Sequence, residues 1–437
     1  MNLILLSGGS GKRLWPLSND IRSKQFIKIF KTDHGYESMV QRMYRLARQN
    51  DQKTVITLAT SKTQIASLHN QLGEDINLSV EPCRRDTFAA IALVTSYLKD
   101  VKGLGEEEAV VVCPVDPYVE EDWFQALQEL HQLAQNGKDN LYLLGINPTY
   151  PSEKYGYIIP QTKEKISRVQ TFKEKPNVQM AQSYIQQGGL WNGGVFAYKI
   201  GYILKRAHEL IDFTDYQDLF HKYETLQKIS FDYAVVEKEP HITVMRFDGK
   251  WKDLGTWNTF TEEMQEAVIG DVRCDSTCEN FHAINELDLP IVCMGLKNTV
   301  VAASPEGILI ADKQQSSYLK PLVDEIVQDV QFAEKSWGSY HVLDTQKNSL
   351  TIRITLNPGH RMNYHSHSRR NEVWTIVSGS GRAIVDGMEQ PVKPGDVITM
   401  QAGCKHTLVA DTELKVIEVQ LGNDIRVDDK QIYPFEV

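Results

Sequence analysis

The strongest constraint on this chain lies at its start. Leu3-Ile-Leu-Leu6 is an apolar run that breaks into Ser7-Gly8-Gly9-Ser10-Gly11-Lys12-Arg13-Leu14-Trp15-Pro16-Leu17-Ser18. The run reads as a short buried strand, and Gly8, Gly9 and Gly11 let the backbone turn tightly with its N–H groups inward. Such a loop can cradle phosphate. It is not a Walker loop, because Leu6 stands five residues before Gly11 and Arg13 follows Lys12. Nor is it a dinucleotide fingerprint, because Leu14 occupies the third position after Gly11. What remains is a glycine turn in which Arg13 offers a forked cation to phosphate oxygens and Pro16 stiffens the exit.

A chain of 437 residues holds two or three domains. Residues 1–268 alternate short apolar runs with amphipathic stretches, which predicts an α/β domain with a mainly parallel sheet. Strands are expected at 54–58, 78–80, 109–113 and 141–146, and helices at 61–72, 87–99 and 122–135. Residues 269–330 turn into short strand-like pieces, a small β spacer. Residues 331–437 carry turn signals such as Asn357-Pro358-Gly359 and Lys393-Pro394-Gly395-Asp396 between β-branched runs, the texture of a small barrel or sandwich.

A formal net charge of −10 argues against a nucleic-acid partner and against attraction to anionic membranes. No apolar run approaches the roughly 20 residues of a membrane span, and the chain enters its first strand without a targeting segment, so a cytoplasmic protein is expected. Six scattered cysteines fit reduced thiols.

Two carboxylates stand where a phosphate site would use them. Asp116 follows the strand expected at 109–113, at the edge of the sheet where ligands bind. Asp253, in Trp251-Lys-Asp-Leu-Gly-Thr-Trp257, offers a second ligand from far along the chain. Magnesium takes one or two carboxylates together with phosphate oxygens and water, which suits the pair.

The opening string resembles the signature of sugar-nucleotide pyrophosphorylases, and Arg13-Leu-Trp-Pro-Leu-Ser18 that of their mannose-1-phosphate guanylyltransferase branch. Six further strings follow in the order of that family. Ser23-Lys24-Gln25-Phe26 resembles its Pro-Lys-Gln-Phe, whose lysine meets nucleotide phosphates. Glu81-Pro-Cys-Arg-Arg-Asp-Thr87 resembles its base-contacting loop, with Arg84 in place of the common glycine. Tyr155-Gly-Tyr-Ile158, Phe172-Lys-Glu-Lys-Pro176, Trp191-Asn-Gly-Gly-Val-Phe196 and Phe231-Asp-Tyr-Ala-Val235 complete the set. The resemblance implies a Rossmann-like nucleotidyltransferase domain over 1–268 that takes GTP and mannose 1-phosphate. The nucleotide would lie on Gly8, Gly9, Gly11, Lys12, Arg13, Lys24, Glu81, Arg85 and Asp116. The sugar phosphate would lie on Gly156, Glu174, Lys175 and Asn192. Arg13, Lys24, Asp116, Lys175 and Asp253 would carry the reaction, with Mg2+ on Asp116 and Asp253. A homo-oligomer is expected.

The C-terminal region holds a second constellation. His365 and His367 alternate by two, so on one strand both imidazoles face the same way, and Glu372 and His406 close the set from neighbouring strands. Three imidazoles and a carboxylate suit a divalent transition metal such as Zn, Mn, Fe or Co. The spacing from Gly359 to Gly379 resembles the first cupin motif, which implies a cupin β-barrel over 331–437. In the guanylyltransferase family this half often carries mannose-6-phosphate isomerase activity. Here His365 stands for the usual glutamine, and Ser368, Arg369 and Val373 replace three histidines; His367, Arg370, Glu372 and Trp374 match. Besides an isomerase, the cupin can be read as a sugar-binding or assembly module, the transferase as acting on another sugar 1-phosphate, and the whole chain as a non-catalytic sugar-nucleotide sensor.

Overall fold

This computed structural model describes residues 1–9, 12–19, 21–425 and 429–434, with every side chain among them except that of Lys12. Gly11 and the Lys12 side chain, both expected in the phosphate loop, lie outside the described residues. The chain gathers into two units. One comprises Met1–Ser10, Lys24–Ile65 and Asp75–Glu266, and the other Gly11–Ser23, Ala66–Glu74 and Ala267–Val437.

The opening apolar run is the strand Asn2–Leu6, buried between parallel partners Val55–Ser61 and Ala109–Pro114. Apolar side chains on both faces of a strand fit a parallel sheet covered by helices. The full order is Asn77–Glu81, Val55–Ser61, Asn2–Leu6, Ala109–Pro114, Leu190–Lys199, Leu141–Ile146, Ile242–Phe247, Ile166–Lys173 and Tyr157–Pro160. The first four strands are parallel to one another, as are Leu141–Ile146 and Ile242–Phe247. Leu190–Lys199 runs antiparallel between these groups and also pairs with Tyr157–Pro160, so that five strands close into a ring. The sheet is therefore mixed beyond Ala109–Pro114. A hairpin such as Tyr157–Pro160 with Ile166–Lys173 needs only a short turn, whereas a parallel return needs a long crossover.

The helices lie where the apolar spacing places them. Asp86–Asp100 is buried almost all round, from Phe88 to Leu98, as an Ala-rich helix sunk into a core must be. Glu121–Asn136 buries one stripe, Trp123, Phe124, Leu127, Leu130 and Ala134. The helix expected at 61–72 opens as a single tight turn, Lys62–Gln64, before Ile65–Leu72.

In the second unit the expected spacer is a short parallel solenoid. Val268–Ile269, His282–Asn285 and Thr299–Ser304 stack in parallel, and Val272–Cys274 stacks on Ile291–Cys293. Phe281, Ala283, Cys293 and Val301 fill its interior, and Gly307–Asp312 ends the stack by turning back antiparallel. Residues 11–23 belong to this unit because their polar groups are held in it. Asn19 Nδ2 donates to Glu306 Oε1 at 2.8 Å, Arg22 forks onto Glu286 at 2.7 and 2.9 Å, and Ser304 Oγ donates to the Pro16 carbonyl at 2.6 Å.

The C-terminal strands form two sheets around one core. Six strands run in the order Phe332–Lys335, Gly338–Gln346, Ser349–Leu356, Leu414–Leu421, Asn371–Ser378 and Val397–Met400, and five in the order Met388–Val392, Gly381–Val385, His406–Ala410, His365–Ser366 and Gln431–Ile432. Ile354, Trp374 and Val416 from the first and Ala383 and Leu408 from the second share the interior. All six cysteines are free thiols. Among the described residues no helix is long and apolar enough to cross a membrane.

Candidate functional site

The turn after Asn2–Leu6 floors a cavity of about 400 Å3. Its carbonyls are already engaged: Gln25 Nε2 donates to Ser7 O and Gln64 Nε2 to Gly9 O, both at 3.0 Å. Gly8 is closely approached, since a Cβ there would lie 2.8 Å from Glu81 Oε1, which would have to shift. Glu81 ends the strand Asn77–Glu81, lines the cavity and accepts from Tyr223 Oη at 2.7 Å. Burial pushes its carboxyl above the usual range, against the Tyr223 hydrogen bond and Arg84.

Lys24, Asp116 and Asp253 come together from three parts of the sequence. Lys24 sits on the single turn Lys24–Phe26, and Asp116 follows Ala109–Pro114. Asp253 ends the short strand Trp251–Asp253, whose antiparallel register sets it opposite Pro117, next to Asp116. Lys24 Nζ lies 2.8 Å from Asp116 Oδ2 and 3.6 Å from Asp253 Oδ1. Burial works against the Lys24 ammonium, but the two carboxylates outweigh it and raise its pKa. Burial likewise opposes the Asp116 carboxylate, and Lys24 more than compensates, holding its pKa below the usual value. Two carboxylates that already converge on one cation form a donor set that fits magnesium.

Asp116 and Pro114 also line a second cavity, of about 190 Å3, with Tyr155, Asn192, Gly193, Trp251 and Asp253. Behind it Glu174 is nearly buried and its Oε1 holds Lys175 Nζ at 2.8 Å. Burial lowers the Lys175 pKa, and Glu174 reverses this and raises it. Gly156 admits no side chain, since a Cβ would stand 2.5 Å from Glu174 Oε2. Asn192 Nδ2 donates to Asp232 Oδ1 at 2.6 Å.

In the second unit His365, His367, Glu372 and His406 present ligand atoms within 4.8 Å of one another. All four are at most 3% exposed. The strand register brings His365 opposite His406, and Glu372 comes from Asn371–Ser378. Each imidazole is oriented through Nδ1, which bonds a backbone carbonyl: Asn363 at 2.6 Å for His365, Asp429 for His367, and Cys404 at 3.0 Å for His406. That assigns the proton to Nδ1 and leaves Nε2 as a lone pair aimed inward. His406 Nε2 and Glu372 Oε2 then face each other at 3.1 Å, both buried and without a hydrogen-bond partner. Two such acceptors need a cation between them, so the residues fit a metal ion. Arg370 borders the cluster, donating to His367 Nε2 and Glu372 Oε1 at 2.9 Å each.

Residues 2–268 match the family model described as Nucleotidyl transferase, which covers more than half of the chain. The chain belongs to the nucleotidyl transferase family. Residues 324–435 match a second model, Mannose-6-phosphate isomerase C-terminal. The chain is similar to Mannose-1-phosphate guanylyltransferase of Escherichia coli (strain K12), with 28% identity over 471 residues, 98% of this chain and 96% of that protein. It is equally similar to Alginate biosynthesis protein AlgA of Pseudomonas aeruginosa, 28% identical over 466 residues, 98% of this chain and 95% of that one. A solved structure described as mannose-1-phosphate geranyltransferase from Thermus thermophilus aligns at a TM-score of 0.62 and 27% identity, covering 74% of this chain and 98% of its own.

In this nucleotidyl transferase the cavity walls gather half of the fourteen residues expected from sequence in the first domain, and Gly156, Glu174 and Lys175 line neither cavity. Gly8, Gly9, Lys24, Glu81 and Asp116 line the larger cavity, and Asp116, Asn192 and Asp253 the smaller. Arg85 is not among them: its guanidinium donates to the Glu224 carbonyl, and its neighbour Arg84 lines the cavity instead. The cause is local, because Arg85 directly precedes the helix Asp86–Asp100 and is turned toward its flank. Arg13 is exposed on the single turn Lys12–Leu14, in the second unit, and lines neither cavity. Asp232 and Tyr155 line the cavities without having been expected there, although both stand inside the motifs Phe231-Asp-Tyr and Tyr155-Gly-Tyr. Tyr223, which orients Glu81, carries no sequence signal.

Proposed function

We propose that this protein transfers GMP from GTP to mannose 1-phosphate, giving GDP-mannose and pyrophosphate. The observation that carries the reading is the Lys24, Asp116 and Asp253 cluster at the junction of two cavities, one of about 400 Å3 lined by the glycine turn and Glu81 and the other lined by Asn192. An oxygen of the sugar phosphate attacks the α-phosphorus of the nucleotide. A new P–O bond forms, the bridge to the β-phosphorus breaks, and pyrophosphate leaves with the electron pair. The attacking phosphate is already ionised, so the step needs no general base. Mg2+ held by Asp116 and Asp253 would supply charge neutralisation at the reacting phosphates. Lys24 binds and orients a phosphate oxygen, Lys175 holds the sugar phosphate, and Glu174 and Asn192 bond sugar hydroxyls. Arg13 is assigned to the leaving pyrophosphate by the chemistry of its guanidinium.

Glu81 supports guanine. Its carboxylate is an acceptor-only group, and the N1–H and exocyclic amine of guanine form an edge with two adjacent donors. Adenine and cytosine offer one donor beside an acceptor, and uracil one donor between two acceptors. The relatives named for guanylyl transfer to mannose 1-phosphate support the same pair of substrates. The test is pyrophosphate release with magnesium across GTP, ATP, CTP and UTP against mannose, glucose and fucose 1-phosphates. Selective turnover of GTP with mannose 1-phosphate is expected, and turnover of none would overturn the reading.

The buried cluster carries a second proposal, a divalent transition metal in the cupin with sugar-phosphate isomerisation as its chemistry. Its support is the pair of buried, unpartnered acceptors on His406 and Glu372. Metal analysis of the purified protein and interconversion of fructose 6-phosphate and mannose 6-phosphate test it. Bound metal without interconversion would leave a sugar-binding or assembly role.

A further inference from the structure

One acid between the two cavities has no part in the transfer chemistry. Asp232, on the short helix Phe231–Ala234, lines the larger cavity, while Asn192, whose Nδ2 donates to Asp232 Oδ1 at 2.6 Å, lines the smaller. Asn192 Oδ1 accepts from the Gly194 N–H at 3.1 Å, so both ends of the amide are fixed and it cannot flip. On the sugar side the only cation within reach of Asp232 among the described groups acting on it is Lys175, which is already bonded to Glu174. One ammonium therefore serves two carboxylates.

We propose that Asp232 is a positioning residue for the incoming sugar phosphate: it pins the Asn192 amide, and it takes up a proton when a phosphate dianion settles beside Lys175. This rests on the transferase reading. Glu174, Asp232 and Lys175 together carry one net negative charge when all are ionised, so a dianion enters against repulsion. Neutralising one carboxylate removes that repulsion. Asp232 is the carboxylate to accept the proton, because burial, and after it the Glu174 carboxylate, already push it up to about 7, against Asn192 and Lys175. The proton comes from solvent and returns to it when the product leaves.

The charges around Asp232 leave no surplus of positive charge. Glu174 and Lys175 reach it from the turn after Ile166–Lys173, and Glu237 stands behind Glu174, accepting from its backbone N–H at 3.3 Å. Across the larger cavity the two cations Arg84 and Lys24 are outnumbered by Asp86, Asp116 and Glu81, so they leave no surplus of positive charge there.

The sign of the pH effect follows. Below about pH 7 Asp232 is neutral and the sugar phosphate binds without opposition; above it the carboxylate must be reprotonated on binding, so KM rises. Steady-state kinetics at saturating GTP, with mannose 1-phosphate varied between about pH 6 and about pH 8.5, test this on the wild type, Asp232→Asn and Asp232→Ala. Asparagine keeps an acceptor for Asn192 and has no charge to titrate. Relative to Asp232→Asn, the wild-type KM is expected to rise about 30-fold across that range, while the titration of the sugar phosphate itself is common to both and cancels. Asp232→Ala, which frees the Asn192 amide, is expected to have a KM about 10-fold above that of Asp232→Asn at every pH. Parallel pH profiles for wild type and Asp232→Asn, or equal KM values for the two variants, would overturn the proposal. The pH comparison stands on Asp232→Asn alone if the alanine variant does not fold. If the wild type turns over no sugar phosphate, the transferase reading falls and this inference with it, whereas turnover with parallel profiles removes Asp232 alone.

Discussion

The two charged clusters solve opposite problems. In the first unit the side chains of Asp116 and Asp253 are 40% and 37% exposed and lean on Lys24, a cation supplied by the chain itself. In the second, His365, His367, Glu372 and His406 are at most 3% exposed, and Glu372 Oε2 and His406 Nε2 face each other at 3.1 Å. Hard oxygen ligands open to a cavity suit an ion that arrives and leaves with a phosphate. Buried imidazoles fixed through Nδ1 suit an ion that stays. The difference teaches that burial, and what already satisfies the donor atoms, tells a donor set suited to a transient ion from one suited to a resident ion.

Breaking the open cluster gives the largest effect. Asp253→Ala removes one of the two carboxylates proposed to hold magnesium, a contribution worth several kcal/mol, and is expected to lower turnover about 10³-fold. Pyrophosphate release measured against rising magnesium checks it, and activity restored by excess magnesium would separate weakened binding from lost chemistry. The corresponding change in the buried cluster is His406→Ala. It removes one of the four proposed ligands and is expected to weaken metal retention more than about 10²-fold, beyond the range typical of outer-sphere partners. Metal analysis after dialysis against a chelator decides it, and unchanged stoichiometry would show that the cluster is not the metal site.

Arg13 tests how much of the site was legible in the sequence. Its motif pointed to a phosphate, and Arg13→Ala is expected to slow turnover about 10²-fold, as for loss of one preorganised electrostatic donor. Near wild-type turnover would remove it from the mechanism. The alternation of strands and helices, the carboxylates at the sheet edge and the spacing of His365 and His367 were readable because each depends on local periodicity or on residue type. The closed ring around Leu190–Lys199 was not, because antiparallel pairing between strands distant in sequence leaves no local pattern. The solenoid was hidden for a related reason: its rungs are two to six residues long and their parallel partners lie about one coil away in sequence. Arg84 and Arg85 are adjacent and chemically alike, so only the start of the helix Asp86–Asp100 decides which of them faces the cavity.

Glu81→Gln gives the smallest expected effect and separates recognition from catalysis. The carboxylate is an acceptor on both oxygens, whereas glutamine presents one acceptor and one donor. Placed against guanine, that donor faces another donor; placed against adenine or cytosine, the mixed pair can match. Tyr223 Oη donates to Glu81 Oε2, so the glutamine has one defined orientation, with its carbonyl toward Tyr223 and its amide toward Oε1's place beside Gly8. The ratio of kcat/KM for GTP over ATP is therefore expected to fall about 10-fold, the value of one hydrogen bond to a charged acceptor. Because Glu81 touches neither Lys24 nor the two aspartates, the magnesium dependence should stay where it is in the wild type. A fall in turnover with every nucleotide alike would instead place Glu81 in the support of the Gly8 turn, which its Oε1 approaches closely.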